Sequence, residues 1–433
     1  MRMVDIISRK KEAFSLSEDE IKFAVSGFVN GKIPDYQMAA LLMAIRLAGF
    51  DENESFFLTK EMTNYGSRVD LSEIPGIKVD KHSTGGIGDK TTLIITPMAA
   101  ACGGRVAKMS GRGLGDTGGT VDKLESIPGY RTEISPNEFI ANIKKTGACI
   151  CGHSADFATA DTKIYNLRND TATTDSMGLI ASSIMSKKIT SGADKILLDV
   201  KAGSGAFMQT FDEAKNLALL CREIGRLSGK EVRAVITDMD TPLGAAVGNS
   251  LEIKEVIETL NGGGLEDLRG LCVLLAAHML NMAGLGSLDE CTLKAQNSLK
   301  DGSAFNKFLE MAENAGADTK YIKNPALFEN AGIIRGLVAK KSGFIEKLNA
   351  KTIGRASFIL GAGRAVKNAD VDFSAGVVLK AKQGEYINAG DLVCVLHTNN
   401  ENAANEAEKL ICENIVISSA QPPKVPLVYE VLA

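Results

Sequence analysis

The residues Ser110-Gly-Arg-Gly-Leu-Gly-Asp-Thr-Gly-Gly-Thr-Val-Asp-Lys-Leu-Glu125 have the composition of an anion site. Gly111, Gly113, Gly115, Gly118 and Gly119 allow positive φ and close approach of backbone to a ligand, because no Cβ stands in the way. Ser110, Thr117 and Thr120 add hydroxyl donors, and Lys108 and Arg112 add positive charge. A solvated turn needs no such concentration of glycine, hydroxyl and cation. A second stretch, Asp80-Lys-His-Ser-Thr-Gly-Gly-Ile-Gly-Asp89, repeats the recipe: Lys81 and Ser83 can grip an anion, with Thr92 in the helical turn behind them.

Both stretches need rigid supports. Apolar residues 105–109 predict a buried strand before the Ser110–Glu125 loop, and 120–124 the start of a helix whose unpaired N–H groups and dipole favour an anion. Residues 76–79 and 91–102 predict the same strand and helix around the Asp80–Asp89 loop, which comes first along the chain. Further strands are expected at 148–151, 195–200 and 232–236, the last two running into polar, glycine-bearing loops. Loops that follow parallel strands open on one edge of the sheet, so the two glycine loops are expected to form one pocket.

The rest of the chain bounds the reading. The 433 residues suggest two or three domains, and 45% hydrophobic with 24% charged residues fits a soluble globular protein. A net charge of −4 gives no reason to expect nucleic acid or an anionic membrane as partner. The N-terminal apolar run is too short for a signal peptide and no stretch suits a membrane span, so a cytoplasmic protein is expected. The eight cysteines show no C-x-x-C pair and are expected as reduced, mostly buried thiols, Cys149 and Cys151 on opposite faces of a strand.

Residues 1–66 read as a small all-helical domain with capping boxes at Ser17 and Asp51, joined by helices at about 160–190. The helix at 38–47 is apolar nearly all round and is expected to be buried on every side, in a bundle or at a subunit contact. Residues 70–330 read as a large α/β domain with a mainly parallel sheet, and 331–433 as a β-rich α+β module.

The two glycine loops resemble those of the pyrimidine nucleoside phosphorylase and thymidine phosphorylase family. Its motif, Ser-Gly-Arg-(Gly/Ala)-Leu-x-x-Thr-Gly-Gly-Thr-x-Asp-Lys-x-Glu, is met at every fixed position from Ser110 to Glu125. Lys81 to Gly86 and Ala181-Ser-Ser-Ile-Met-Ser-Lys-Lys188 are similar to the same family, and the resemblance spans nearly the whole chain. It implies reversible phosphorolysis of uridine, thymidine and deoxyuridine to free base and pentose 1-phosphate, inorganic phosphate as co-substrate, no organic cofactor and a homodimer. It also implies phosphate contacts from Lys81, Ser83, Thr92, Lys108, Ser110 and Thr120.

For the base, the resemblance implies Arg168 and Lys187 as cations at its edge, Ser183 beside them and His82 toward O2. Ile180, Ser183, Ile184 and Lys187 share one face of the expected helix, the first and third as apolar walls. By residue type alone, other readings stay open. Lys187 and Lys188 also suit a solvated helix end, Arg168 an ion pair with Asp161 or Asp170, and Tyr165 either a base contact or core. Whether His82 is an acid or only a hydrogen-bond donor is undecided.

The chain departs from the family at several positions. Members that bind K+ use positions matching Gly88, residue 90, Leu243, Ala246 and Glu255, but residue 90 is Lys here: either its ammonium takes the cation position beside Glu255, or, if only its backbone carbonyl is a ligand, K+ still binds at Gly88, Leu243, Ala246 and Glu255. Asp116 stands where His is expected, and should point away from phosphate or pair with a cation. Thr174 and Gly178 make the start of the base-side helix atypical. Two other functions are weighed: an anthranilate-type phosphoribosyltransferase, and a non-catalytic nucleoside- or phosphate-binding protein.

Overall fold

Short apolar runs bounded by turns become five parallel strands: β1 (Lys78–Ser83), β2 (Arg105–Ser110), β3 (Ala148–Gly152), β4 (Lys195–Ala202) and β5 (Glu231–Asp238). Their order is β3-β2-β1-β4-β5, and the strand Val428–Leu432 adds antiparallel to β5. Strand order reverses at β1, which has β2 on one side and β4 on the other. Such a switch point leaves a crevice beyond the C-terminal ends of the strands. Ser83, Ser110 and Ala202 therefore end on one rim. The computed structural model describes residues 1–66, 69–113, 116, 118–152, 158–364 and 369–433. Leu114, Gly115 and Thr117 of the glycine motif lie outside them.

β1 starts later and runs further than its apolar pattern predicts, so Lys81, His82 and Ser83 are strand residues rather than loop residues. Continuous pairing with β4, from Val79↔Lys195 to Ser83↔Asp199, outweighs the weak strand preference of these polar residues. β4 likewise takes in Lys201 and Ala202.

Alternation sorts the sheet into two faces. Val79, Val106, Ile150, Leu197 and Val235 join one core with the helices Thr91–Ala101, Asn249–Leu260 and Glu266–Met282. Ile196, Leu198, Val200, Ala234 and Ile236 pack with Met177–Thr190 and Phe211–Leu227. Cys149 and Cys151 lie together in a third cluster with Ala107, Met109 and Phe139, while Ile150 faces the other way. The expectation of opposite faces was an error of period: residues two apart on a strand share a face. All eight cysteines are free thiols.

The helices Met3–Lys11, Glu18–Val29, Asp35–Ala48 and Glu52–Asn64 share a core with Ala160, Ile164 and Leu179 of the helices Thr159–Asp170 and Met177–Thr190. Both expected capping boxes are present, Ser17 with Glu20 and Asp51 with Glu54. Lys10 Nζ donates to both Glu54 oxygens, at 2.7 and 2.8 Å, inside the bundle. The helix Asp35–Ala48 is not covered on every side: Met38, Leu41, Leu42 and Ile45 are buried, but Leu47 is 78% exposed. One helix has more apolar surface than a single bundle can cover.

In the C-terminal region, Ile333–Val338, Leu392–Thr398 and Gly376–Leu379 form a sheet that continues onto Ala246–Val247 of the α/β region. Together with Val428–Leu432 on the main sheet, this joins the module to the α/β layer by backbone hydrogen bonds at two places. No helix among the described residues is long and apolar enough to cross a membrane.

Gly178 lets the base-side helix approach its neighbour: a Cβ there would lie 2.6 Å from Phe50 Cβ and 2.9 Å from Ser55 Oγ. Gly178→Ala is expected to destabilise by about 1–3 kcal/mol, because Phe50 Cβ is fixed to its backbone. A urea midpoint at or above that of the wild type would show that the helices can separate at no cost.

Candidate active site

The helix Met177–Thr190 ends on the rim of the crevice because Lys188 pins it there. Its Nζ donates to Asp80 Oδ2 of β1 at 2.7 Å and to Met109 O of β2 at 3.2 Å, and both charged residues are fully buried. Lys187, its neighbour in sequence, is thereby brought beside the ends of these strands. Its Nζ donates to Asp161 Oδ2 at 2.6 Å and Ser183 Oγ at 2.7 Å. Neither lysine is a solvated helix end.

Arg168 is buried and pairs with neither Asp161 nor Asp170. Its guanidinium donates to Thr173 O (3.2 Å), Leu179 O (3.1 Å) and Thr174 O (2.8 Å). These bonds shape the turn before Met177–Thr190 and leave two of the five guanidinium N–H groups for another partner. Burial lowers the Arg168 pKa, although Asp161 and Tyr165 oppose the shift. Tyr165 is 36% exposed, not core, and its ring lies 5.6 Å from the Arg168 guanidinium carbon and 5.9 Å from Lys187 Nζ. Ser183 and Ile184 are buried and Ile180 half-buried, so one helix face carries two apolar side chains with a hydroxyl and an ammonium.

On the other side of the crevice, Lys81 lies under the first glycine loop. Its Nζ donates to Thr91 Oγ1 at 2.6 Å and pairs with Asp199 Oδ2 at 3.0 Å, which leaves one N–H. Lys201 joins Asp199 at 2.9 Å. Burial alone would lower the Lys81 pKa, but Asp199 and Asp89 hold it above the ordinary value. Ser83 Oγ donates to Asp89 Oδ2 and accepts from Gly85 N at 3.2 Å. Burial opposes ionisation of Asp89, yet Lys81 and Lys201 keep it well below the usual carboxylate range. Thr92 is buried in the first turn of Thr91–Ala101, Ser110 ends β2, and Thr120 opens the short helix Thr120–Glu125.

Lys108 Nζ donates to Lys81 O at 2.7 Å. Burial and then the charge of Lys188 push its pKa well below the ordinary lysine value. His82 feels the same surroundings: burial, then the charges of Lys188, Lys108, Lys187 and Lys81, hold it well below the usual imidazole value. A dianion in the crevice would relieve this repulsion, so the electrostatics suit phosphate.

Gly111, Gly118 and Gly119 of the second loop have no positive φ, and of these three Gly119 is required by proximity. A Cβ at Gly119 would lie 2.0 Å from Gly113 N, so the loop's two limbs touch backbone to backbone. Asp116 pairs with Arg355 at 3.4 Å, the cation partner that the sequence reading allowed for.

Lys90 Nζ, fully buried, donates to Glu255 Oε2 at 2.6 Å, Ala246 O at 2.9 Å and Leu243 O at 3.1 Å. Burial would lower its pKa, but Glu255 and Glu252 raise it, so the ammonium is retained. Gly88 packs onto the same carbonyls, since a Cβ there would lie 2.6 Å from Leu243 O. These oxygens are thus the acceptors of the Lys90 ammonium.

Sequence reasoning passed over Asp80, Thr91, Asp161 as partner of Lys187, Asp199, Lys201 and the pair Lys123–Glu252 at 2.7 Å. A signal existed for Asp199, a carboxylate inside the apolar run Ile196-Leu-Leu-Asp-Val200: such a residue is buried only with a partner.

A helical lobe set against a parallel sheet with a crevice at its switch point is the architecture of a glycosyltransferase. Family models described as the glycosyl transferase family helical bundle domain and a/b domain match residues 4–66 and 76–305, and the pyrimidine nucleoside phosphorylase C-terminal domain matches 344–418. The chain is 46% identical over 431 residues to the pyrimidine-nucleoside phosphorylase of Geobacillus stearothermophilus, covering 99% of both chains. It is 44% identical over 426 residues to that of Bacillus subtilis (strain 168), covering 98% of both. The protein belongs to the pyrimidine-nucleoside phosphorylase family. Anthranilate phosphoribosyltransferase from Thermus thermophilus superposes with a TM-score of 0.57 at 18% identity, covering 72% of this chain and all of that one, and shares the fold.

The depressed His82 pKa gives a signed prediction. As pH falls below about 6.5, the unfolded chain takes up this proton before the folded one, so His82 lowers stability there and has no effect above. In an NMR titration the His82 ring should stay neutral at about pH 6, where an ordinary histidine is largely protonated. A midpoint at or above the ordinary value would show that the lysine cluster does not reach it.

Proposed function

We propose that this chain catalyses reversible phosphorolysis of pyrimidine nucleosides, releasing the base and a pentose 1-phosphate. The observation that supports the reading is the Lys188 contact with Asp80 and Met109 O, which ties the helix carrying Lys187 and Ser183 to the strands that lead into the glycine loops. A phosphate oxygen forms a bond to C1′ while the C1′–N1 bond breaks, and the electron pair leaves with the base. Lys108, the last N–H of Lys81, Ser83, Ser110, Thr92 and Thr120 hold the phosphate. Lys187 and the two remaining N–H groups of Arg168 meet the negative charge that develops on the pyrimidine, Ser183 completes its edge, and Ile180 and Ile184 flank the ring. Tyr165 supports both cations. His82, neutral, serves as a hydrogen-bond donor to O2 rather than as an imidazolium acid.

The anthranilate-type alternative is not favoured, since its support is a shared fold at 18% identity. A non-catalytic binding role leaves the paired phosphate and base sides without purpose. The exposed Tyr36, Met43 and Leu47 on Asp35–Ala48 support a homodimer through the helical lobe.

Phosphate-dependent release of base from uridine, thymidine and deoxyuridine, measured side by side, tests the reaction; no turnover of any of the three would sink it. Lys187→Gln should lower kcat/KM by about 100-fold or more, as for loss of a charge-stabilising donor, with phosphate binding retained. Lys90 is read as a tethered replacement for a monovalent cation. Activity in potassium buffer should therefore equal that in a bulky organic-cation buffer, and strong dependence on potassium would refute the replacement.

A further inference from the structure

We infer that Arg364, in the C-terminal module, is a positioning residue for phosphate binding that acts through Asp122. This rests on the phosphate reading of the glycine loops. Asp122 is 2% exposed, and its Oδ2 accepts the Gly113 N–H at 2.6 Å. Its Oδ1 accepts from Arg364 Nη1. Arg364 is itself buried and anchored, with Nε donating to Ala369 O at 2.8 Å. A Cβ at Gly119 would lie 2.6 Å from Asp122 Oδ2, so the carboxylate sits where the two limbs of the loop meet.

Two consequences follow. A glycine-rich loop has few side chains to pack, and ordering its backbone is costly, so a fixed acceptor for the Gly113 N–H holds its shape. A buried carboxylate next to an anion site would also repel phosphate unless neutralised. Arg112 does not serve, because it lies 3.8 Å from Asp122 and is engaged by Glu125 and Glu133. Arg364 supplies both the charge and a rigid anchor. The exposed pair Arg355–Asp116 is a second contact between module and loop, of the weak surface kind.

The test compares Arg364→Gln and Arg364→Lys with Arg335→Gln. The last breaks the Glu401 and Glu408 ion pairs elsewhere in the same module. Arg364→Gln should raise the phosphate KM about tenfold or more, the scale of a lost charged hydrogen bond, with the nucleoside KM unchanged. Arg364→Lys should fall between, because an ammonium cannot span Asp122 and Ala369 O as a guanidinium does. Millimolar guanidinium should restore the glutamine variant where sodium chloride of equal ionic strength does not, and Arg335→Gln should leave the phosphate KM as in the wild type. An unchanged phosphate KM, or nucleoside KM and kcat worsening together without rescue, would overturn the inference. Should Arg364→Gln not fold, a lysine variant whose thermal stabilisation by phosphate equals that of the wild type would overturn it too. If wild-type turnover needs no phosphate, the phosphate reading itself fails; if it does and the variants keep their phosphate KM, only the role of Arg364 fails.

Discussion

The buried contact of Lys188 with Asp80 and Met109 O ties the helix Met177–Thr190 to the strands β1 and β2. Each of its ends lies in a rigid element, the helix Met177–Thr190 on one side and adjoining strands on the other. Removing two charges from water is expensive, and such a pair contributes little net stability. What it provides is geometry: an ammonium with fixed acceptors on two strands holds the last turn of the helix in one place. Losing one partner leaves a buried charge uncompensated, at a cost of about 3–5 kcal/mol, so the arrangement resists drift.

Four lysines around the crevice are restrained by carboxylates that also orient them. Asp161 holds Lys187, Asp80 holds Lys188, and Asp199 is shared by Lys81 and Lys201. Among the described residues Lys108 has no carboxylate within ion-pair distance, and burial and Lys188 push its pKa well down. On the proposed phosphate reading, an anion in the crevice would relieve this imbalance, so part of its binding energy would come from ending repulsion already present.

The glycine motif was legible because backbone chemistry is written locally: spacing of Gly, Ser and Thr predicts a loop that accepts an anion. The positions of the parallel strands and the helical bundle followed from periodicity and capping boxes; the strand order did not. The partners of the lysines were not legible, since Lys188 and Asp80 are 108 positions apart and nothing in either neighbourhood marks the other. Arg168 misled for a related reason. Its nearby acids suggested an ion pair, but an arginine at the end of a helix can also be used by main-chain carbonyls, which a sequence does not distinguish. The length of β1 was missed because tertiary pairing overrode residue preference.

Buried charge also explains how the two glycine loops keep their relative position. Lys123, just after the second loop, donates to Asp89 O of the first at 2.8 Å and pairs with Glu252. Glu252 lies 3.9 Å from Lys90 Nζ, which in turn binds the carbonyls of Leu243 and Ala246. Ala246 begins the short strand that pairs with the C-terminal sheet. A diffusible ion at the Lys90 position would make this chain of contacts depend on its concentration. A covalently attached ammonium does not dissociate; it exchanges that dependence for a fixed loss of side-chain entropy, about 2 kcal/mol at most for a lysine. The coupling of both loops to the C-terminal module is therefore built into the fold rather than set by the medium.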